Sequence, residues 1–132
     1  MNEAELKRRT QQFGLRIMKL VAALPKGPLG WAIGNQLVRS GTSVGANYRA
    51  ACRSRSKAEF IARLGVVEEE ADESAYWLEM IVMGKVMKPA LIRSLLDEAN
   101  EIVAIITASR ISASRNLRQT AAVRIKNQKS KV

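Results

Sequence analysis

Residues 56–83 read SKAEFIARLGVVEEEADESAYWLEMIVM. Within this run Phe60, Leu64, Val67, Ala71, Ser74, Leu78 and Ile81 recur at alternating spacings of four and three. That period keeps seven side chains on one face of a helix and excludes a strand, whose period is two. Ser56-Lys57-Ala58-Glu59 is a capping-box pattern. The Ser56 hydroxyl can accept from the Glu59 amide while the Glu59 carboxylate reaches back, which places the helix start at residue 57.

The same pattern extends in both directions. Upstream, Ile33, Leu37, Ser40, Val44, Asn47 and Ala51 form a second stripe, and Leu6, Phe13, Ile17, Leu20 and Leu24 form a first. Downstream, Leu91, Leu95, Ala99, Ile102 and Ile106 form a fourth. Leu24-Pro25-Lys26-Gly27-Pro28 separates the first two stripes, because proline lacks the amide donor and clashes with the preceding turn. Arg53-Ser54-Arg55-Ser56 is a polar hinge. Met83-Gly84-Lys85-Val86-Met87-Lys88-Pro89 closes the third helix at glycine and opens the fourth at proline. Four striped helices with short connections predict an all-α protein, an antiparallel up-down-up-down four-helix bundle over residues 1–114. Residues 115–132 remain as a basic C-terminal tail, expected to be flexible until it meets a partner.

Charge is distributed unevenly. The 132 residues carry 22 Lys and Arg against 12 Asp and Glu, a net charge of +10. Residues 57–114 hold ten of the acids, whereas 29–56 and 115–132 hold none. A single cysteine, Cys52, and no histidine exclude an intrachain disulfide, a cysteine–histidine zinc cage and imidazole catalysis. No leader or membrane span is legible, so a cytoplasmic protein without metal or cofactor is expected.

Several residues invite a functional reading. Folding the second helix on the third about the hinge, as an antiparallel hairpin, brings residues whose numbers sum to about 110 level. Arg39 then meets Glu70 and Asp72 as a structural ion pair, and Trp31 and Trp77 are expected to wedge the core or its edge. Arg49, Arg53, Arg55 and Lys57 cluster at the hinge with only Glu59 to neutralise them, a surface suited to phosphates. The tail adds Arg115, Arg118, Arg124, Lys126, Lys129 and Lys131. Gly34, Gly41 and Gly45 share one flank of the second helix and cost about 3 kcal/mol relative to alanine. Close approach by another helix compensates, either within the chain or from a second subunit. Asn47, an amide in an apolar stripe, needs partners and suits a register-fixing role in the same interface.

One enzymatic pattern is present. Glu69-Glu70-Ala71-Asp72-Glu73 followed by Glu98-Ala99-Asn100-Glu101 resembles the acidic motifs of magnesium-dependent, all-α nucleoside triphosphate pyrophosphatases. That family ends its second motif in Asp where Glu101 stands here.

Gln36-Leu37-Val38-Arg39-Ser40-Gly41-Thr42-Ser43-Val44-Gly45-Ala46-Asn47-Tyr48-Arg49-Ala50-Ala51, then Arg55-Ser56-Lys57-Ala58-Glu59-Phe60, resembles the four-helix bundle protein family. Its members are encoded in intervening sequences of bacterial large-subunit ribosomal RNA genes and at other loci. The resemblance covers about residues 10–110 and implies an antiparallel bundle assembled as a homopentameric ring. It also implies kinship with the accessory variability protein of diversity-generating retroelements, which binds nucleic acid and its reverse transcriptase. Many members carry Ile-Ala-Glu-Gly after the Asn; Tyr48-Arg49-Ala50-Ala51 here marks a sub-branch. The functional expectation is a non-enzymatic homo-oligomer that binds RNA or DNA through phosphates. The alternative is a scaffold for a nucleic-acid enzyme such as a reverse transcriptase.

Overall fold

A computed structural model describes residues 1–130, which form four α-helices and no strand. They are α1 (Glu3–Ala22), α2 (Pro28–Cys52), α3 (Lys57–Met83) and α4 (Arg93–Ser130). A single 3-10 turn, Pro89–Leu91, precedes α4. The main packing contacts join α1 to α2, α2 to α3 and α3 to α4, with a lesser contact between α1 and α4.

Local chemistry sets the helix ends. Asn2 caps α1 by accepting the Glu5 amide at 2.8 Å. Ser56 caps α3 by accepting the Glu59 amide at 3.1 Å, as the capping box requires. The reciprocal bond is shifted by one residue: Glu59 Oε2 accepts the Arg55 amide at 3.1 Å, and its other oxygen holds Arg63. At the end of α3 the left-handed residue is Lys85 (φ 54°), while Gly84 keeps helical φ. The Val86 amide reaches the Ile81 carbonyl and the Lys85 amide the Val82 carbonyl, which makes a Schellman closure with lysine in the seat glycine prefers.

The first and third stripes form the core as expected, with Phe60 packed partly buried at its margin. Thr10 fills the gap between Leu6 and Phe13, its hydroxyl donating to the Leu6 carbonyl at 2.9 Å. Two stripe assignments need correction. Leu91 is 61% exposed and Ile92 is fully buried, because the 3-10 turn advances the phase before α4 begins. Likewise Tyr48 is buried where Asn47 was expected, since a straight helix drifts away from a strict seven-residue repeat. Asn47 is half-buried and donates to the Ser43 carbonyl of its own helix at 2.9 Å.

Polar cross-links fix the register of neighbouring helices. The Ser40 and Ser74 hydroxyls, both fully buried, meet at 2.9 Å between α2 and α3. Arg39 pairs with Glu70 at 3.1 Å and with Glu73, so the expected ion pair forms, with Glu73 in place of Asp72. Arg110 on α4 meets Glu68 on α3 at 2.7 Å. Arg9 on α1 grips Glu98 on α4 through two bonds of 2.8 and 2.6 Å and reaches Glu101 at 2.9 Å.

The glycine flank of α2 faces α1 of the same chain. A Cβ at Gly41 would stand 2.7 Å from the Ile17 side chain, one at Gly45 would stand 3.2 Å from the Thr10 carbonyl, and one at Gly34 would stand 3.1 Å from Val21. Trp31, by contrast, is 62% exposed and is not a core wedge, because its phase on α2 lies well away from the buried stripe. Trp77 packs half-buried against the core, edge to face with Tyr76 at 5.1 Å.

From Ser114 to Lys129 nothing on α4 is buried, yet the helix continues to Ser130, so residues 115–130 are helical. No glycine or proline follows Pro89, and the bundle portion already supplies the costly helix nucleus.

Three outcomes follow from this packing. Gly41→Ala gains helix propensity but forces Ile17 aside; the clash dominates, so a fall in stability of about 1–3 kcal/mol is expected in chemical denaturation. Lys85→Gly removes the left-handed strain on a side-chain-bearing residue and is expected to raise stability by about 1 kcal/mol. The third concerns acid. Arg110 beside Glu68 and Arg39 beside Glu73 hold both carboxyls below their ordinary value of 4.5. A depressed carboxyl stabilises the fold above its unfolded pKa and loses that contribution as pH falls through its folded pKa. Melting temperature should therefore drop below about pH 4.5, and Arg39→Met should flatten part of that drop.

Candidate nucleic-acid interface

The last turn of α2, the hinge and the first turn of α3 gather the predicted basic cluster. Arg49 lies in the final turn of α2, Arg53 caps it, Arg55 lies in the hinge and Lys57 opens α3. All four side chains are exposed, and among the described residues none of them makes an ion pair. Arg49, Arg53 and Arg55 line an open cleft of about 510 Å³ together with Glu59 and Arg63. The hinge between them holds Ser54, whose Oγ is out of solvent contact and has no hydrogen-bond partner among the described residues.

Helix electrostatics treats these cations differently. Arg49 and Arg53 sit at the negative end of α2, where a positive side chain is favoured by about 0.3–1 kcal/mol. Lys57 sits at the positive end of α3, where it is disfavoured by a similar amount. Only Glu59, held low by the Arg55 amide and then by Arg63, offsets it locally. Lys57 and the positive end of α3 thus add to the local positive charge of the junction.

The structure adds bases that the sequence alone did not assign to this cluster. Arg63 reaches the cleft from one turn into α3, where it also bonds Glu59 at 3.1 Å. Lys7 and Arg8 on α1 line a second groove shared with Arg49, of about 600 Å³, between α1 and α2. A signal for this was available: the glycine flank predicts a close helix neighbour, and Lys7 and Arg8 lie near the start of α1, level with the end of an antiparallel α2.

The tail bases divide by face. Arg124 lines a shallow cleft with Lys57, Gln119 and Val123, so it joins the hinge cluster. Arg115, Arg118, Lys126 and Lys129 recur at offsets of 3, 11 and 14 residues, which places them along one side of α4 opposite Arg124. The side chains of residues 121–129 are all exposed. Lys131 lies outside the described residues. Of the four residues expected at a subunit interface, Gly34 and Gly41 are buried beneath α1, Gly45 and Asn47 are half-buried, and the three glycines meet α1 of their own chain.

Four carboxylates of the acidic motifs are engaged by arginines. Glu70 and Glu73 face Arg39, and Glu98 and Glu101 face Arg9. No cluster of three or more acidic or cysteine side chains suited to a metal occurs among the described residues. Burial, and then a bond to Glu3, push the Cys52 thiol up, away from thiolate character. Among the described residues no helix is long and apolar enough to cross a membrane.

No curated protein matches the chain. Among solved structures it is similar to the crystal structure of a protein with unknown function from the S23 ribosomal protein family of Bacteroides thetaiotaomicron VPI-5482. The two are 30% identical with a TM-score of 0.77, over 83% of this chain and 98% of that one. Residues 2–108 match the family described as 23S rRNA-intervening sequence protein. That match spans all of α1, α2 and α3 and ends within α4, and on that footing the chain belongs to the 23S rRNA-intervening sequence protein family.

Proposed function

We propose that this protein is a non-enzymatic, cytoplasmic homo-oligomer that binds RNA or DNA through sequence-independent phosphate contacts. In this reading the four helices form an antiparallel up-down-up-down bundle, and several copies close into a ring, a homopentamer by family resemblance. The observation that carries it is the cluster of exposed Arg49, Arg53, Arg55 and Lys57 at one helix junction, without ion pairs among the described residues, while Glu70, Glu73, Glu98 and Glu101 are engaged by Arg39 and Arg9. Phosphate contacts position a nucleic acid without specifying its sequence. A ring repeats each weak patch, so modest contacts sum by avidity. No cofactor or metal enters this reading.

A scaffold that partners a nucleic-acid enzyme such as a reverse transcriptase is a second reading. It is favoured by Leu29 and Trp31, large apolar side chains that are each exposed on the first turn of α2. A principal partner that stays bound after nuclease treatment would select it.

Fluorescence anisotropy with mixed-sequence RNA and DNA tests the first reading. Binding at low salt that weakens steeply as salt rises is expected, and no binding at low salt removes the proposal. Lys57→Glu provides the sharper measurement. It should raise thermal stability by about 0.5 kcal/mol, through the α3 dipole, and lower affinity in the same preparation. A variant that is more stable and binds equally well would remove Lys57 from the interface.

A further inference from the structure

α3 carries a second stripe that its own fold leaves uncovered. Ala62, Gly65, Glu69, Asp72, Tyr76 and Met80 recur at spacings of three and four on the side opposite the buried stripe. All but Gly65 are exposed, Tyr76 by 51%. Glu69 and Asp72 make no ion pair among the described residues, although the neighbouring Glu68, Glu70 and Glu73 all do. Gly65 is the telling residue. It costs about 1 kcal/mol relative to alanine in mid-helix, and a Cβ there would meet nothing within 4 Å. The chain therefore spends a glycine where its own packing does not require one, and close approach by another backbone is what such a glycine permits.

The α1–α2 groove has the complementary character. Its floor is small, with Gly14, Gly45 and Ala46, and Leu15 and Met18 stand exposed along one wall. Arg8 and Arg49 at the rim are exposed and unpaired. From Ala4 to Met18 the α1 wall runs about 21 Å, against about 22 Å from Gly65 to Met80 on α3.

We propose that the outer face of α3 in one copy seats in the α1–α2 groove of a second copy of this chain, with Glu69 and Asp72 facing Arg8 and Arg49. This rests on the oligomer reading above and supplies its contact surfaces. Two different surfaces of the chain meet, so the contact is heterologous and closes into a ring where its rotation permits. A nucleic acid is the wrong occupant for the α3 face, whose acids repel phosphate. Arg53, Arg55 and Lys57 lie outside the groove and stay available to a polyanion, whereas Arg49 is given over to the subunit contact.

Light scattering on the full chain, with circular dichroism as a folding control, tests the contact. The native chain is expected above its 14.6 kDa protomer mass. Arg8→Glu and Asp72→Lys should each lower that mass towards one protomer, and the double variant should recover it. Gly65→Gln, a good helix former at an uncrowded site, should stay fully helical yet dissociate. A native chain of protomer mass overturns this proposal and the oligomer reading together. A native oligomer unmoved by Arg8→Glu, Asp72→Lys and Gly65→Gln overturns this contact and leaves the oligomer reading standing. Dissociation by both charge reversals without recovery in the double variant overturns the pairing of those charges.

Discussion

The approach of α2 to α1 across a glycine flank governs most of what the molecule presents. Ile17 occupies the space a side chain at Gly41 would take, and the Thr10 carbonyl lies just beyond Gly45. Helices that meet this closely gain dispersion contacts over many atoms, and that gain is set against the helix propensity the glycines forgo. The contact also determines what lies at the surface. With Gly14 and Gly45 on its floor, the seam between the helices is shallow and apolar, and it brings Lys7 and Arg8 of α1 alongside Arg49 of α2. A larger residue at Gly41 or Gly45 would change the stability and the shape of that charged groove at once.

Charge is sorted in a consistent way across the remaining helices. Glu68, Glu70, Glu73, Glu98 and Glu101 face Arg110, Arg39 and Arg9 across helix contacts, and so fix register. Partly exposed pairs of this kind add little net stability each, but a wrong register would leave several carboxylates facing one another. The hinge bases belong to no such network. Their mutual repulsion is tolerated because they are solvated and because two of them sit at a helix C-terminus. Internal pairing that engages five of the acids while leaving the hinge bases unpaired is how one chain can be tightly cross-linked and still present a positive surface.

Much of this was legible in the sequence, and the exceptions have physical causes. Periodicity reports which face is buried, so the α1 and α3 stripes emerged residue by residue. It fails where phase is interrupted, as at the 3-10 turn that replaces Leu91 by Ile92, or where a strict heptad is extrapolated past Val44 and Asn47 is taken for Tyr48. Hairpin arithmetic located Arg39 against α3 because one short hinge relates those helices. It had no access to Arg9 and Glu98, which lie 89 residues apart and meet only once all four helices are placed. Hinge bases were visible as composition, whereas Arg63 and Arg8 became part of the cluster only through helix phase and interhelical contact. The tail was read from its sparse apolar content, although its freedom from glycine and proline already favoured a continuing helix.

That helical extension alters how the terminal bases can act on a polyanion. A flexible arm would lose backbone and side-chain freedom at each residue it ordered, a cost set against every phosphate contact it made. A helix already rooted in the bundle has lost most of that freedom. It holds Arg115, Arg118, Lys126 and Lys129 along one side and turns Arg124 towards Lys57. The number of phosphates neutralised sets the salt dependence, which is the same for either form of the tail. Preorganisation changes the intercept instead. A rigid extension should therefore give tighter binding at a given salt concentration with an unchanged slope, and breaking it with proline at Gln119 should weaken affinity while leaving the slope in place. A slope that fell along with the affinity would mean that the helix itself, and not its rigidity alone, brings those bases within reach of phosphate.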